Sequence, residues 1–296
     1  MTIHSSITIF HKDIHEFINT DFEIEILYSG CAFSEGPVWS SEGYYLFSDI
    51  PENVIYKLQQ NKKPEIYLQQ SGSVNSRTQH LSEQIGSNGL AFDSKGHLFI
   101  CQHGEGAIAK YDGEKMQPFI TTYNDKSFNS PNDLIIHPNG QIFFTDPPYG
   151  LKDQKINAEE YQPTAGIYCW QSNEIKLITD RYQFPNGVCL SPDQKSLFTC
   201  SNKSFEAFVL EFDTETLQLK RQVCNENSDG IKCDRFGNLY LCSKDGIVII
   251  DASGKRLALI SLLTIPANCC WGGENLNDLF ITARENIFLI RNLQKL

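Results

Sequence analysis

The chain has 296 residues, of which 41% are hydrophobic, and it carries a formal net charge of -11 at pH 7. This length is ample for a large core, and a repeat along the chain favours one closed domain over two. The acidic balance argues against a nucleic-acid or anionic-membrane surface, because there is no basic excess to neutralise phosphates. A small molecule or a cation is the ligand class that this charge favours.

The first 20 residues are interpreted as an N-terminal extension. Charged residues and histidines between positions 11 and 16 interrupt the apolar segment that a signal peptide would need. No run approaches the roughly 20 apolar residues that span a bilayer. We therefore expect a soluble, cytoplasmic protein with no membrane partner and no nucleic-acid partner.

Ten cysteines are present, nearly all of them inside apolar strand patterns, and no CxxC motif occurs. The adjacent Cys269 and Cys270 must point to opposite faces if they lie in one strand. Free cysteine is among the most buried residue types, so we expect reduced thiols that fill the core.

A unit of two short strands joined by a turn recurs six times, and an acid or amide stands at the start of each unit. These residues are Glu35, Asn88, Asn132, Asn186, Asp229 and Asn268. Subtracting successive positions gives intervals of 53, 44, 54, 43 and 39 residues, which are typical of β-propeller blades. The segments between the paired strands are rich in Gly, Asp, Asn and Pro, the residues that accept turn geometry.

The units predict an all-β fold: one six-bladed β-propeller with four antiparallel strands per blade, spanning residues 1–296. Further strands are predicted at 107–112, 166–170, 207–213 and 246–251, and no convincing amphipathic helix is found. The last unit has room for only three strands. The segment 22–29 is predicted to supply the fourth, which would join the chain ends and remove an open sheet edge.

The innermost strand of a blade lines the central channel, so the six unit-opening residues are expected to form a ring at one mouth. The second strand returns antiparallel to that end. It brings a second set of side chains there: Asp49, His103, Asp146, Asn202, Ser243 and Arg284. Turn preference alone would account for any single position. Six aligned polar positions with two carboxylates favour a binding site. Asn88 and Asn268 have no assigned role: they could line the pocket, or they could serve only to cap turns.

The carboxylates of Glu35 and Asp229, with the amide oxygen of Asn186, predict a site for one hard divalent cation. Ca²⁺ is the first expectation, and Mg²⁺, Mn²⁺, Zn²⁺ or Fe²⁺ are alternatives. A metal at this mouth can polarise a carbonyl group and lower the pKa of bound water. The chemistry that this arrangement predicts is hydrolysis.

Five strings resemble the gluconolactonase/regucalcin (SMP-30/LRE-like) family, in particular its bacterial gluconolactonase-like branch. They are FSEGPVW, FNSPNDLIIHPNGQIFFTDPPYGL, FPNGVCLSPD, SDGIKCDRFGNLY and NCCWGG, within roughly residues 20–290. The resemblance implies a six-bladed propeller with one divalent metal and a sugar-acid lactone as substrate. It also implies that Glu35, Asn186 and Asp229 bind the metal and that Asp229 is the proposed general base.

The same resemblance implies that Asn132 contacts the substrate or a metal-bound water, with Asp133 as a weaker candidate. His103 ends a strand on the mouth side, so it could bind substrate or be a structural histidine. Asn88 is a further candidate. Two polar insertions, at 69–80 and 147–163, could cover the substrate, and Tyr149 in the second could contact a sugar ring.

The chain departs from the family pattern in two places. Many relatives have an ExHG segment followed by basic residues where this chain reads CQHGEGA at 101–107, and the animal branch has an arginine where this chain has Ser130. A positive contribution to substrate binding is therefore missing, unless Arg77 in the first insertion replaces it. The identity of the lactone stays open.

The leading prediction is a metal-dependent hydrolase that opens a small-molecule lactone by polarising its carbonyl group for attack by water. The base or nucleophile is Asp229, Asp133 or a metal-bound hydroxide. The alternatives are a related lactonase, esterase or organophosphate hydrolase on the same scaffold, or a noncatalytic Ca²⁺-binding propeller. No G-x-S-x-G motif supports a serine hydrolase. The sequence does not predict an oligomeric state.

Overall fold

The computed structural model describes residues 2–4, 6–74 and 81–296, with side chains from residue 6 onward. Within these ranges the fold is all-β, and its one α-helix, α1 (Ile14–Phe17), has four residues. Two 3-10 turns lie at Lys152–Gln154 and Ser204–Glu206. No helix in the described ranges has the length and apolar character that a membrane crossing needs.

The strands fall into two lists along the chain. The first is β1 (Thr2–His4), β2 (Ser6–Ile9), β3 (Glu23–Ser40), β4 (Tyr44–Asp49), β5 (Val54–Gln59), β6 (Glu65–Gln69), β7 (Ser87–Phe92), β8 (Leu98–Gln102), β9 (Ala107–Tyr111), β10 (Met116–Ile120), β11 (Thr122–Tyr123), β12 (Lys126–Ser127), β13 (Leu134–Ile136) and β14 (Ile142–Asp146). The second is β15 (Gly166–Gln171), β16 (Glu174–Thr179), β17 (Pro185–Leu190), β18 (Ser196–Ser201), β19 (Phe208–Asp213), β20 (Leu219–Cys224), β21 (Ile231–Cys233), β22 (Leu239–Ser243), β23 (Gly246–Ile250), β24 (Arg256–Ser261), β25 (Asn268–Gly272) and β26 (Asp278–Ile290).

The blades are five antiparallel sheets in the described part of the chain, so the prediction of six blades was wrong. Three blades have four strands: β7–β10, β13–β16 and β17–β20. A fourth has five strands, because β2 pairs with β24 at the outer edge of β21–β24. The remaining blade has seven strands, in the order β25-β26-β3-β4-β5-β6 with β1 on β3, and β11 and β12 form a small separate ribbon.

The physical reason for five blades is the length of two strands. The 18-residue β3 pairs through its first half with β26, with Glu25 opposite Leu289, and through its second half with β4, with Trp39 opposite Tyr45. The 13-residue β26 likewise pairs with both β25 and β3. The segments predicted as the first and last blades are therefore hydrogen-bonded into one continuous sheet.

The channel is lined by strands that each contact the next: β3, β7, β13, β17, β21 and β25. The seven-stranded blade supplies two of these strands, β25 and the second half of β3. Each unit-opening residue in the sequence marks one channel-lining strand. Because one blade supplies two of these strands, the number of units exceeds the number of blades.

The core lies between neighbouring blades, because each blade is covered on both faces. In β8 every residue is buried. Ile100 packs with Leu46 of the preceding blade, whereas Cys101 packs with Phe144 of the following one. Alternate side chains of one strand point to opposite faces, so a continuous apolar run serves two interfaces.

All ten cysteines are free thiols, and eight of them are buried. Cys269 packs in the cluster with Cys242 and Ile281, whereas Cys270 packs in the cluster with Tyr45. The two adjacent thiols thus face opposite sides of β25. The prediction that cysteines fill the core is confirmed for these eight residues.

Candidate functional site

Backbone hydrogen bonds between neighbouring channel strands gather the ring residues at one end of the fold. Gly89 N donates to the carbonyl oxygen of Asn132 at 2.7 Å, and Gly187 N donates to that of Asp229 at 2.9 Å. Thr145 Oγ1 donates to the carbonyl oxygen of Asn186 at 2.7 Å. These contacts fix each ring residue relative to the next. The ring side chains Glu35, Asn88, Asn132, Asn186 and Asn268 are each between 2% and 4% exposed.

Asp229 is held by two amide side chains. Asn186 Nδ2 donates to Asp229 Oδ1 at 2.5 Å, and Asn202 Nδ2 donates to the same oxygen at 2.9 Å. The hydroxyl of Tyr149 donates to Asn202 Oδ1 at 2.8 Å. Asn186 Oδ1 is buried without a hydrogen-bond partner. An unpaired buried carbonyl oxygen is costly, so this atom is one that a bound ligand would satisfy.

Glu35 and Asp229 share one electrostatic environment. Burial raises the pKa of Glu35 to about 8, and the charges of Asp229 and Asp133 add to the effect. Burial also raises the pKa of Asp229 to about 6, although its bonds to Asn186 and Asn202 oppose the rise. Two buried carboxylates that disfavour each other's charge are the arrangement that a cation between them would offset.

The donor set fits a hard cation. In the part of the chain that the structure describes, no group of three or more His, Cys, Asp or Glu side chains could hold a metal by itself. The site offers instead the carboxylates of Glu35 and Asp229 and the partnerless Oδ1 of Asn186. Carboxylate and amide oxygens are the ligands that Ca²⁺ and Mg²⁺ take.

Asp133, next to Asn132 in sequence, already accepts hydrogen bonds from protein donors. Its Oδ1 accepts the backbone amide of Leu134 at 3.0 Å, and its Oδ2 accepts the amide of Val188 at 3.2 Å and Lys232 Nζ at 3.3 Å. Lys232 Nζ also donates to Asn268 Oδ1 at 3.2 Å. Burial alone would lower the pKa of Lys232, but the charge of Asp133 raises it above its ordinary value. Asp133 and Lys232 thus form a largely buried ion pair that contacts the ring residue Asn268.

Asn268, to which the sequence assigned no role, lies between this ion pair and Glu35. Its Oδ1 accepts from Lys232, and its amide opposes the rise that burial causes in the pKa of Glu35. Glu35 Oε2 accepts the backbone amide of Gly36 at 2.7 Å. Asn268 therefore lies near both the ion pair and Glu35.

His103 and Asn88 form a buried pair. Asn88 Nδ2 lies 3.3 Å from His103 Nε2, and His103 Nδ1 lies 3.1 Å from the carbonyl oxygen of Gln84. Burial lowers the pKa of His103 to about 4. A neutral ring that donates from Nδ1 to Gln84 and accepts at Nε2 satisfies both contacts. Asn88 Oδ1 remains buried without a partner, so His103 positions an amide that can meet a ligand.

An aromatic wall, defined here as Tyr149, Phe184 and Phe205, stands beside Asp229. The rings of Tyr149 and Phe184 lie 5.8 Å apart, and Phe205 is 71% exposed. Lys203 Nζ lies 4.6 Å from the centre of the Phe184 ring and 5.3 Å from that of Tyr149. The sequence analysis missed Lys203, although its position directly after Asn202 was a signal that could have found it.

Arg284 is a second cation at this end. Its guanidinium lies 5.8 Å from the centre of the Phe33 ring, and its backbone has a positive φ of 56°. Its carbonyl oxygen accepts a hydrogen bond from Ser34 Oγ at 2.7 Å, next to Glu35. The charges of Arg284 and Lys203 both lower the pKa of Asp229. They supply positive charge at the mouth, where this chain lacks the basic residues that the family motifs carry.

The residue that follows the first insertion packs against the second. Leu81, which follows the first, forms a β-bridge with Leu151 in the second, and both pack with Tyr161. Arg77 lies outside the described residues. A cleft of 1630 Å³ that includes Tyr67 and Tyr111 lies at the end of the hairpin turns, and no ring residue lines it.

The chain matches the SMP-30/Gluconolactonase/LRE-like region over residues 33–285. It is 31% identical to a gluconolactonase from Zymomonas mobilis over 305 residues, which cover 96% of this chain and 85% of that protein. It is 21% identical to regucalcin from Xenopus laevis, with 84% of this chain and 82% of that protein covered.

Solved structures share the fold. A gluconolactonase from Xanthomonas campestris superposes with a TM-score of 0.85 at 24% identity, covering 100% of this chain and 98% of that one. A calcium-binding protein, regucalcin from Agrobacterium tumefaciens, superposes with a TM-score of 0.72 at 15% identity, covering 91% and 94%. Identities at this level support the fold alone. The matched region and the Zymomonas relative confirm the resemblance inferred from the motifs, and the chain belongs to the SMP-30/gluconolactonase/LRE-like family.

Proposed function

We propose that the protein is a metal-dependent hydrolase that opens a sugar-acid lactone. The observation that carries the proposal is the partnerless buried Oδ1 of Asn186, whose own amide group is bonded to Asp229. The name of the Zymomonas relative supports a lactone as the small-molecule substrate. The protein is thus an enzyme of the gluconolactonase type, a carboxylic ester hydrolase.

Glu35, Asn186 and Asp229 would hold one divalent cation. Ca²⁺ is the first candidate, since the Agrobacterium neighbour is described as a calcium-binding protein, and Mg²⁺, Mn²⁺, Zn²⁺ or Fe²⁺ remain alternatives. When bound, the metal supplies a Lewis acid for the lactone carbonyl and its developing oxyanion.

Asp229 is the proposed base. Both amide donors bind its Oδ1, so Oδ2 is the oxygen that remains for the cation or for a proton of the attacking water. The water oxygen bonds to the carbonyl carbon, the ring C–O bond breaks, and the proton passes to the departing ring oxygen. The product is a hydroxy acid. Asp133 is a weaker candidate, because Leu134, Val188 and Lys232 already donate to its carboxylate.

Substrate contacts are assigned to the rest of the ring and to the aromatic wall. Asn132 and the partnerless Oδ1 of Asn88 belong to the buried ring and would bind substrate hydroxyls. His103 acts through Asn88, as its contacts support. The Tyr149 ring would pack on the sugar, with Lys203 beside it.

We retain two further predictions. The chain is one domain over residues 1–296: residues 6–9 add a strand to β24, and Ile14 and Ile18 are buried in the core, so the N-terminal extension packs on the propeller. A cytoplasmic location stays a prediction from sequence.

Acid release from gluconolactone, followed with a pH indicator, tests the function. We expect turnover that EDTA abolishes and that added divalent metal restores. The same assay on aromatic lactones, other aldonolactones and organophosphate esters separates the lactonase from a related hydrolase. No metal-dependent rate on the whole panel would overturn the proposal in favour of a noncatalytic propeller.

A further inference from the structure

Three carboxylates behind the mouth each accept hydrogen bonds from two consecutive backbone amides. We call Asp49, Asp146 and Glu206 the bracket carboxylates. Asp49 Oδ2 accepts the amide of Ala32 at 2.9 Å, and its Oδ1 accepts the amide of Phe33 at 3.0 Å. The Asp49 side chain lies at the end of β4 and is 1% exposed.

Asp146 repeats this geometry at the end of β14. Its Oδ2 accepts the amide of Asn129 at 2.9 Å, and its Oδ1 accepts the amide of Ser130 at 2.8 Å. The side chain of Asn129 adds a third hydrogen bond, at 3.0 Å. Asp146 is 0% exposed, so these donors replace the water that its carboxylate would otherwise bind.

Glu206 makes the third bracket from a different position. Asn202, which follows β18, is engaged with Asp229, and the carboxylate comes from four residues later. Glu206 Oε1 accepts the amide of Gln183 at 2.7 Å, and its Oε2 accepts the amide of Phe184 at 2.8 Å. The longer side chain of this glutamate reaches two consecutive backbone amides, as the two aspartates do.

The bracketed amides have a constant place in the sequence. In each case they lie three and two residues before a ring residue, which is Glu35, Asn132 or Asn186. These are three of the five ring residues to which the proposed function gives a metal or substrate contact. The other two are held through their side chains, Asp229 by Asn186 and Asn202 and Asn88 by His103.

The segments that lead into the ring residues Asn88 and Asn268 are built differently. Two residues before Asn88, the amide of Gly86 donates to the carbonyl of Ile50. Two residues before Asn268, Pro266 has no amide hydrogen. Among the described residues no carboxylate accepts the backbone amides at these two places. The brackets therefore do not recur at every channel strand; they precede Glu35, Asn132 and Asn186.

We infer that Asp49, Asp146 and Glu206 are positioning residues that fix the backbone entering Glu35, Asn132 and Asn186, so that two brackets serve metal affinity and one serves substrate binding. Two oxygens of one carboxylate meet two adjacent N–H groups, which restrains both peptide planes at once. The inference rests on the proposed function for the roles of the three ring residues.

The test replaces each bracket by its amide: Asp49→Asn, Asp146→Asn and Glu206→Gln. An amide keeps the shape, but its NH₂ group would face a backbone donor, so one of the two hydrogen bonds is lost. Partners behind a metal ligand typically change metal affinity by 10- to 100-fold. We expect Asp49→Asn and Glu206→Gln to weaken Ca²⁺ binding, measured by calorimetry, by about tenfold or more.

For Asp146→Asn we expect the opposite pattern, an effect on KM and none on metal affinity. At saturating metal we expect KM for gluconolactone to rise by about tenfold while the Ca²⁺ dissociation constant stays within about twofold of the wild type. Asp49→Asn at saturating metal should keep a KM close to that of the wild type. This crossed pattern is a readout that a loss of general stability would not produce.

Asp234→Asn is the matched control. Asp234 is 2% exposed and accepts the amides of Phe236 at 2.9 Å and Asn238 at 2.8 Å, but it lies in a hairpin turn at the far end of the fold. It should lower the thermal midpoint much as Asp146→Asn does and leave KM and metal affinity unchanged. Glu206 is only half-buried, so Glu206→Gln keeps the test usable if a buried variant fails to fold.

Equal changes of KM and metal affinity in all three bracket variants and in the control would overturn the inference. Wild-type metal dependence and turnover are measured first, so their absence counts against the proposed function and not against the brackets. Metal binding without turnover still tests Asp49 and Glu206 by calorimetry, and an unchanged affinity in both variants would refute their positioning role.

Discussion

The side-chain amide of Asn186 donates to one oxygen of Asp229, and its own carbonyl oxygen is left buried without a partner. One contact therefore fixes two oxygen-bearing side chains that the proposed function assigns to the metal. It joins a neutral amide to a carboxylate across neighbouring blades, so residues 43 apart in sequence lie side by side.

Asn186→Ala removes both functions of this amide. We expect Ca²⁺ affinity to fall by at least about tenfold, because a ligand is lost and Asp229 loses a donor. Calorimetric titration measures this. Asn88→Ala is the control: it removes another buried partnerless oxygen of the ring, yet it should raise KM and spare metal affinity. Equal losses of affinity in the two variants would contradict the division of roles.

His103 predicts a pH dependence of stability. Its pKa is about 4 in the folded protein against 6.5 for the free side chain, because burial disfavours the imidazolium. Between these values the unfolded state binds a proton that the folded state does not. The free energy of unfolding therefore decreases as the pH falls from 6.5 to 4, by up to about 3 kcal/mol from this group.

Urea denaturation of the wild type and His103→Gln at pH 7 and pH 4.5 isolates that contribution. The wild type should lose more stability between the two values than the variant, which cannot titrate. Parallel losses would show that His103 is protonated in the fold without penalty.

Lys232→Met tests the buried pair with Asp133. The substitution leaves a carboxylate that is 3% exposed without its cation, and such losses cost about 3–5 kcal/mol. Asp133→Asn in the same chain should restore part of the stability, since the stranded charge is gone. Lys244→Met, from a pair whose side chains are 78% and 54% exposed, should change the free energy of unfolding by less than about 1 kcal/mol. Equal effects of the two lysine variants would refute the buried-pair account.

Lys203→Gln tests the cation on the aromatic wall. With Glu35 and Asp229 neutralised by a divalent metal, the charge of Lys203 is available to the oxygens of the substrate. We expect KM to rise by about two- to fivefold with little change in kcat. Lys203→Arg should retain the wild-type KM, and Lys244→Gln should not alter it. An unchanged KM in Lys203→Gln would show that Lys203 packs against the aromatic wall and does not contact the substrate.

Much of the strand pattern could be predicted from the sequence. The strands expected at 107–112, 166–170, 207–213 and 246–251 are found as β9, β15, β19 and β23. Apolar runs bounded by turn residues carry this information locally. The blade count could not be predicted in the same way, because it depends on whether β3 continues as one strand between two pairing partners, which is a property of hydrogen bonding between distant segments.

The ring could be predicted from position in the repeat, but the contacts of its members could not. Whether Asp133 is a free base or a partner of Lys232 depends on residues 99 apart. Whether His103 titrates near neutral pH depends on burial that only the assembled blades provide. Repeat position thus predicts which residues form the ring, whereas tertiary packing determines the contacts that each of them makes.

The most direct test of the account compares acid release from gluconolactone by the wild type, Glu35→Gln and Asp229→Asn, with EDTA and with added Ca²⁺. We expect the wild type to lose activity in EDTA and regain it with metal. Both variants should stay folded, as judged by circular dichroism, and show at least about a hundredfold lower activity at any metal concentration, since each loses a ligand charge. Wild-type activity that is indifferent to EDTA, or full activity in either variant, would contradict the metal site and with it the proposed function.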